Sequence, residues 1–201
     1  MKVLPLLLAV LMLAAPGFAD KKDEVKFAPS PAASYATKQT NENVTIALKA
    51  YDTEDLAHIA FGKVNPYQYG ILPILVVIQN DTNETIKLDR MQVKFTDFDG
   101  QEIESTPATD VPYAVEHPKR PTNPVTLPIP PELRKKHKNP LSGPEIQTRA
   151  FAARMLPPHE SAYGFFYFQA HHRPGVSIYI NGIKQAASGK DLFYFDIPLK
   201  D

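Results

Sequence analysis

The segment from Ile71 to Gly100 constrains the fold of this chain most, because its pattern predicts a strand, a turn and a second strand. Ile71–Ile78 is an almost unbroken apolar run rich in Ile and Val, which suits a strand and is too short for most buried helices. Asn80–Asn83 is typical of a turn, because Asn and Asp side chains bond their own backbone and tolerate left-handed conformations. Asp99–Gly100 then closes the second strand with a hairpin signal.

The two strands of this segment differ in their polarity. Apolar and polar side chains alternate over residues 91–96, so the second strand has one buried face and one wet face. Ile71–Ile78 has no polar face, so we expect both of its faces to be covered by other parts of the chain. Pro73 cannot donate to a strand ladder, and it therefore fits the start of the strand or a sheet edge.

Further segments have the apolar pattern of strands. Val44–Tyr51, Val176–Ile183 and Leu192–Pro198 alternate, whereas Ala162–Phe168 is apolar on both faces and predicts a second central strand. The chain is therefore predicted to be all-β, with one shared core. The predicted core consists of Leu75, Val77, Val93, Phe95, Phe166, Phe168, Ile178 and Phe195.

Two segments have helical chemistry. Asp52–Phe61 begins with capping residues and predicts a short helix with Leu56, Ile59 and Ala60 directed inward. Pro144–Leu156 begins with Pro and Glu and continues with Ala and Arg, which favours a helix that covers the outer face of the first strand. A strand over residues 145–156 is the alternative.

The order of these motifs resembles a known family. The matching motifs, in chain order, are an apolar strand, Asn80-Asp81-Thr82, an alternating strand, Asp97-Phe98-Asp99-Gly100 and the later segment Leu156–Phe168. With these motifs the chain resembles the small immunoglobulin-like domains of unknown function in bacterial envelope and surface proteins. The resemblance covers two separated pieces of the chain. It implies an immunoglobulin-like β-sandwich with one or two short helices, formed by residues 44–201.

The N-terminal residues indicate export. In residues 1–19, Lys2 supplies a charge, Val3–Ala15 an apolar core and Gly17-Phe18-Ala19 a small-residue cleavage site, which predicts a signal peptide. A membrane anchor is the alternative, but the apolar run is short for a span. Residues 20–43 are polar and predict a flexible leader. The expected location is periplasmic or secreted, and the chain has no Cys for disulfides or lipid attachment.

The charge of the chain is balanced, with 22 Lys and Arg against 22 Asp and Glu. Nucleic-acid binding usually requires a basic stripe, so we expect no nucleic-acid partner. The expected partner is instead another envelope protein or an anionic component of the envelope.

Two stretches are candidate binding surfaces. Tyr67 and Tyr69 lie in a predicted turn, where they either contact a ligand or cover one end of the domain. Residues 105–145 contain ten prolines and predict an extended insertion that is either a recognition loop or a solvated connection. The candidate contacts in this insertion are Leu127, Ile129, Arg134, Lys135, Lys136 and Lys138.

Three other patterns match sites that bind metal ions or carry glycans. His171-His172 is a candidate metal site, but neighbours on a strand point to opposite faces, so exposed loop histidines are the preferred interpretation. The carboxylates of residues 97–104 could bind calcium, but the longer acidic repeat of a calcium loop is missing. A hairpin with solvated carboxylates is therefore the preferred interpretation. Asn43, Asn80 and Asn83 match glycosylation acceptors and are interpreted as turn residues.

The sequence contains no nucleophile motif, phosphate loop or His-Glu-x-x-His. We therefore expect an exported, non-enzymatic binding or assembly module of the bacterial cell envelope, with no cofactor and no metal. The alternative is a hydrolase or metal-dependent enzyme with an unrecognised site. A His and a carboxylate that converge in one pocket would favour this alternative, whereas exposed tyrosine and proline surfaces would favour binding.

Overall fold

The structure is a computed structural model that describes residues 27–114, 139–192 and 194–200. The helices are α1 (Glu54–Phe61), α2 (Val111–Ala114) and α3 (Pro144–Thr148), with 3-10 turns at Ala32–Ser34, Pro66–Tyr69 and Pro140–Ser142. The strands are β1 (Lys38–Asn41), β2 (Val44–Ala50), β3 (Leu72–Asn80), β4 (Ile86–Lys87), β5 (Gln92–Thr96), β6 (Glu102–Glu104), β7 (Met155–Leu156), β8 (Ser161–Phe168), β9 (Ser177–Asn181), β10 (Lys184–Gln185) and β11 (Phe195–Pro198).

Within the described residues, the strands form three antiparallel sheets. The first has the order β1-β2-β3-β8, the second β11-β9-β5-β6 and the third, which is small, β10-β4-β7. The hairpin predicted at Asp99–Gly100 joins β5 to β6, with Lys94 opposite Glu104 in the ladder. With strands dominating and only short helices, the described residues confirm the predicted all-β fold.

Strand β3 is buried on both faces, as its unbroken apolar pattern predicts. Ile74, Val76 and Ile78 belong to a core that the two four-stranded sheets share. Leu75 and Val77 point the other way, into a second core on the outer face of the first sheet. Pro73 is the second residue of β3, and its carbonyl accepts a hydrogen bond from the Tyr51 N–H at 2.9 Å. The predicted position at the start of a strand is confirmed.

Aromatic rings fill the outer core. Phe165 contacts Tyr51 and Phe61 with ring centroids 4.8 Å apart in each case, and Tyr167 lies against Phe61 at 6.3 Å. The Tyr167 hydroxyl donates a 2.6 Å hydrogen bond to the Ile146 carbonyl of α3. A buried hydroxyl needs such a partner, and this bond therefore ties α3 to the sheet.

The predicted helix over Pro144–Leu156 is wrong beyond Thr148. The Phe165 N–H donates to the Arg149 carbonyl at 2.9 Å, and the Phe151 N–H donates to the Phe165 carbonyl at 3.1 Å. This pairing with the edge of β8 uses backbone groups that a longer helix would need. It also requires Gly164, because a Cβ there would lie 2.3 Å from the Phe151 Cα. The strand alternative is correct for Met155–Leu156 only.

The inward face of α1 also differs from the prediction. Ile59 is 64% exposed, whereas Ala57, Ala60 and Phe61 are fully buried. Residues three and four positions apart share a helix face, so a face centred on Ala57 and Phe61 excludes Ile59. Small alanines on this face bring α1 close to the outer core, and Phe61 supplies the large buried side chain.

The predicted core needs two corrections. Leu75 and Val77 lie in the outer core, so the eight predicted residues do not share one core. Phe166 is only half-buried and stacks on Phe151 at 5.4 Å, whereas Phe165 is buried. Strand β8 is an outer strand of its sheet, not a second central strand, and its free side pairs with residues 149–151 and with Thr106.

The domain begins earlier than Val44. Ala32 is buried in the outer core, and β1 pairs with β2 over Lys38–Asn41. Residues 43 and 42 have φ values of 60° and 45°, a left-handed turn that lets the chain reverse directly into β2. The prediction that residues 20–43 form a flexible leader is therefore wrong for residues 32–43. The predicted signal peptide 1–19 lies outside the described residues.

Asn80 fixes the turn after β3. Its fully buried side-chain amide lies 2.8 Å from the Glu84 carbonyl, 3.1 Å from Leu156 and 2.9 Å from Pro157. Its side-chain oxygen accepts hydrogen bonds from both the N–H and the hydroxyl of Thr82. The interpretation of Asn80 as a turn residue is confirmed, since these bonds shape the turn.

Phe165→Ala should cost about 3–5 kcal/mol of unfolding free energy, because Phe165 is buried among four aromatic rings. Phe166→Ala is the matched control and should cost clearly less, since Phe166 keeps solvent contact. Urea unfolding of both variants measures the difference. An equal or larger cost for Phe166→Ala would contradict the outer core.

Asn80→Ala should cost about 2–4 kcal/mol, because it leaves buried carbonyl groups and the Thr82 donors without their partner. The neighbouring Asn83 is exposed, and Asn83→Ala should change the stability by less than about 0.5 kcal/mol. Thermal and urea unfolding of the pair separate these cases. Equal stability of both variants would show that Asn80 is not the centre of the turn.

Candidate functional site

The structure describes two of the sequence-predicted binding residues, Tyr67 and Tyr69. Tyr67 is half-buried, packs against the inner core and meets the His171 ring edge-on at 6.2 Å. Tyr69 is 39% exposed beside it. Both lie in the 3-10 turn Pro66–Tyr69, which the Asn65 side chain caps by accepting from the Tyr67 N–H. The predicted contacts in the Pro-rich insertion, Leu127, Ile129, Arg134, Lys135, Lys136 and Lys138, lie outside the described residues.

A groove of about 630 Å³ is the principal candidate site, and we call it the Asp52–His172 groove. Its walls are Ser30, residues 34–37, the end of β2, the start of α1, His172 and the C-terminal residues 199–200. Leu48, Leu56 and Leu199 give it an apolar floor, and Lys49 and Lys200 lie at its rim. Its size falls in the range of small-molecule sites.

Asp52 and His172 meet in this groove although they are far apart in sequence. Asp52 precedes Thr53, whose side chain caps α1 by accepting from the Leu56 N–H, so helix initiation fixes the Asp52 backbone. His172 follows β8. The distance between His172 Nδ1 and Asp52 Oδ2 is 2.6 Å, and the His172 side chain is only 8% exposed. The expectation of an exposed loop histidine is therefore wrong for His172.

The chemistry available to this pair follows from its orientation. An ionised Asp52 accepts from the His172 Nδ1–H, which fixes both the ring orientation and the tautomer. His172 Nε2 is the nitrogen that would exchange a proton with a substrate in a hydrolase. This atom is buried, so a substrate in the groove does not reach it in this conformation. The pair therefore forms a polar wall of the groove.

Tyr35 and Tyr51 add hydroxyl donors on this side of the domain. Burial raises the pKa of Tyr35, and a backbone hydrogen bond from Ser30 partly opposes this effect. Burial, with a smaller contribution from Tyr35, raises the pKa of Tyr51 to about 12. Both hydroxyls therefore keep their protons at neutral pH, and Tyr35 presents a neutral donor to the groove.

The carboxylates of the β5–β6 hairpin are engaged within the protein. Lys94 contacts Glu102 at 2.8 Å and Glu104 at 3.3 Å, and these two bonds raise the pKa of Lys94. The Asp97 and Asp99 side chains accept from the backbone N–H groups of Phe98 and Gln101. Among residues 27–114, 139–192 and 194–200, the structure contains no group of three or more metal-ligating side chains.

A second groove of about 930 Å³ lies beside α1 and α3. The Arg149 guanidinium lines it and lies over the Phe27 ring at 4.8 Å, and the exposed Ile59 and Tyr163 form other parts of its wall. Arg149 Nη1 is buried without a hydrogen-bond partner in the described part of the chain. Sequence reasoning found neither groove, because each is assembled from segments that are distant along the chain.

Comparisons with family models, with curated proteins and with solved structures found no match to this chain. Within the described ranges, no helix has the length and hydropathy needed to span a membrane.

Proposed function

We propose that this protein is an exported, non-enzymatic binding or assembly module of the bacterial cell envelope, built on an immunoglobulin-like β-sandwich. The export and the envelope location rest on the signal-peptide pattern of residues 1–19 and on the family resemblance in the sequence. The Asp52–His172 groove is the observation that carries the binding function.

The strand order supports the immunoglobulin-like part of the proposal. In that fold, strands A, B and E are neighbours in one sheet, and G, F, C and C′ are neighbours in the other. The orders β2-β3-β8 and β11-β9-β5-β6 match these when β2, β3 and β5 are taken as A, B and C. Strand β1 then adds to the free side of A, and the long Pro-rich insertion precedes strand E.

The composition of the groove supports binding over catalysis. An apolar floor with a few fixed polar groups is typical of ligand sites. Asp52 and His172 hold each other, and the reactive ring nitrogen of His172 is buried. The groove thus offers a ligand apolar surface, hydrogen-bond donors and the positive charges of two lysines. The Asp52–His172 pair maintains the shape of its wall.

A hydrolase remains the second candidate, and one observation favours it. A His and a carboxylate converge in one groove, together with the hydroxyl side chains of Ser30, Ser34 and Thr53. Catalysis would require the His172 ring to expose Nε2 and approach one of these hydroxyl groups.

The Pro-rich insertion is part of the same proposal. Leu127 and Ile129 would supply apolar contacts, and the cations at residues 134–138 would face an anionic envelope component or an envelope protein. Tyr69 adds an exposed aromatic contact.

Filling the groove tests its binding function. Fractions of envelope extract should raise the melting temperature of the mature protein, because a ligand that binds only the folded state stabilises it. Ala36 is exposed and lines the groove, so Ala36→Trp should abolish the rise. Ala33 is exposed nearby but does not line it, so Ala33→Trp is the matched control and should keep the rise.

An equal rise for both variants would contradict a binding role for the groove, and so would the absence of a rise with every fraction. Ester hydrolysis that disappears in His172→Gln would favour the hydrolase instead.

A further inference from the structure

The outer face of the second sheet carries a tyrosine pair that lies outside the Asp52–His172 groove. Tyr179 of β9 stacks on Tyr194 with ring centroids 5.5 Å apart and an angle of 30° between the rings. Tyr194 is 57% exposed. On the same face, Gln92 of β5 lies directly opposite Asn181 of β9. We call these four residues the tyrosine face.

The tyrosine face borders a shallow groove of about 630 Å³. Gln92, Asn181 and Tyr194 line it, together with Arg90 and the ion pair of Lys184 and Asp191, whose charged atoms are 3.0 Å apart. The groove depends on Gly182, which has a φ of 77°. A Cβ at this position would lie 2.2 Å from the Arg90 carbonyl oxygen, so only glycine lets the two segments approach.

Strand β1 of the first sheet holds this face in place. The Asn41 side-chain amide of β1 donates to the Tyr194 carbonyl at 2.9 Å. The Gln39 side chain of the same strand accepts from the Asp196 N–H at 3.1 Å. These bonds fix the backbone on both sides of Phe195, which is fully buried. The exposed ring is therefore presented by a rigid support, which lowers the entropy cost of binding.

We propose that the tyrosine face binds a neutral oligosaccharide. A sugar ring has an apolar C–H face, which packs flat on an aromatic ring, and hydroxyl groups at its edge, which bond to planar amides. Tyr194 on Tyr179 supplies the ring surface, and Gln92 with Asn181 supplies paired donors and acceptors.

The small net charge of the groove favours a neutral ligand over a strongly charged one. Lys184 is neutralised by Asp191, which leaves Arg90 as a hydrogen-bond donor at one side of the groove. A protein interface instead requires an apolar centre and about 800 Å² on each partner. Among the described residues of this face, Tyr194 is the large exposed apolar side chain, and polar side chains line the groove beside it.

Titration calorimetry with neutral hexasaccharides tests the proposal on the mature protein. Cellohexaose, chitohexaose and maltohexaose are the probes, each at up to about 5 mM so that millimolar affinity is measurable. At least one should bind, and Tyr194→Ala should weaken its binding by about tenfold. Gln92→Ala should also weaken binding, and Tyr194→Phe should retain the stacking contribution.

Tyr163 provides the matched control, because it is an exposed tyrosine on the first sheet. Tyr163→Ala should bind the hexasaccharide as the parent does. The proposal is overturned if none of the three probes binds, or if Tyr194→Ala binds as tightly as Tyr163→Ala. It is also overturned if Tyr194 instead holds two copies together, shown by a dimer in sedimentation that Tyr194→Ala dissociates. Ala36→Trp should leave saccharide binding unchanged, so failure here is distinct from failure of the Asp52–His172 groove.

Discussion

Burial of β3 on both faces is the constraint on which the rest of the structure depends. A strand whose side chains are apolar at every position from Leu72 to Ile78 must have one layer on each side. The second sheet covers one face, and α1, α3 and residues 27–35 cover the other. The short helices therefore cover an aromatic cluster on the outer face of the first sheet.

The strands that could be predicted from the sequence are those with one buried face and one exposed face, because their apolar and polar residues alternate. Val93 with Phe95, and Ile178 with Ile180, alternate with polar residues and are buried as expected. The sequence could not show which of Phe165 and Phe166 is more deeply buried, because a continuous run of aromatic residues has no alternation of apolar and polar positions. The turn residue Asn80 was found, but not its bonds to Leu156 and Pro157, because those depend on how β8 returns along β3.

The candidate site was less accessible to sequence reasoning. Asp52 and His172 belong to different loops, and the pairing of β3 with both β2 and β8 brings these loops together. No local signal marks such a contact. The end of α3 at Thr148 was missed for a related reason: the hydrogen bonds between Phe165 and residues 149–151 are tertiary, and they override the helix propensity of that segment.

We expect β3 to be the most stable element of one cooperatively unfolding domain, and native-state amide hydrogen exchange tests this directly. The β3 amides bonded to β2 and β8 should exchange only through global unfolding, with a free energy equal to that from urea unfolding. The amides of the small sheet β10-β4-β7 should exchange through lower-energy local openings. Exchange of the β3 amides as fast as that of β1 would contradict the central role of β3.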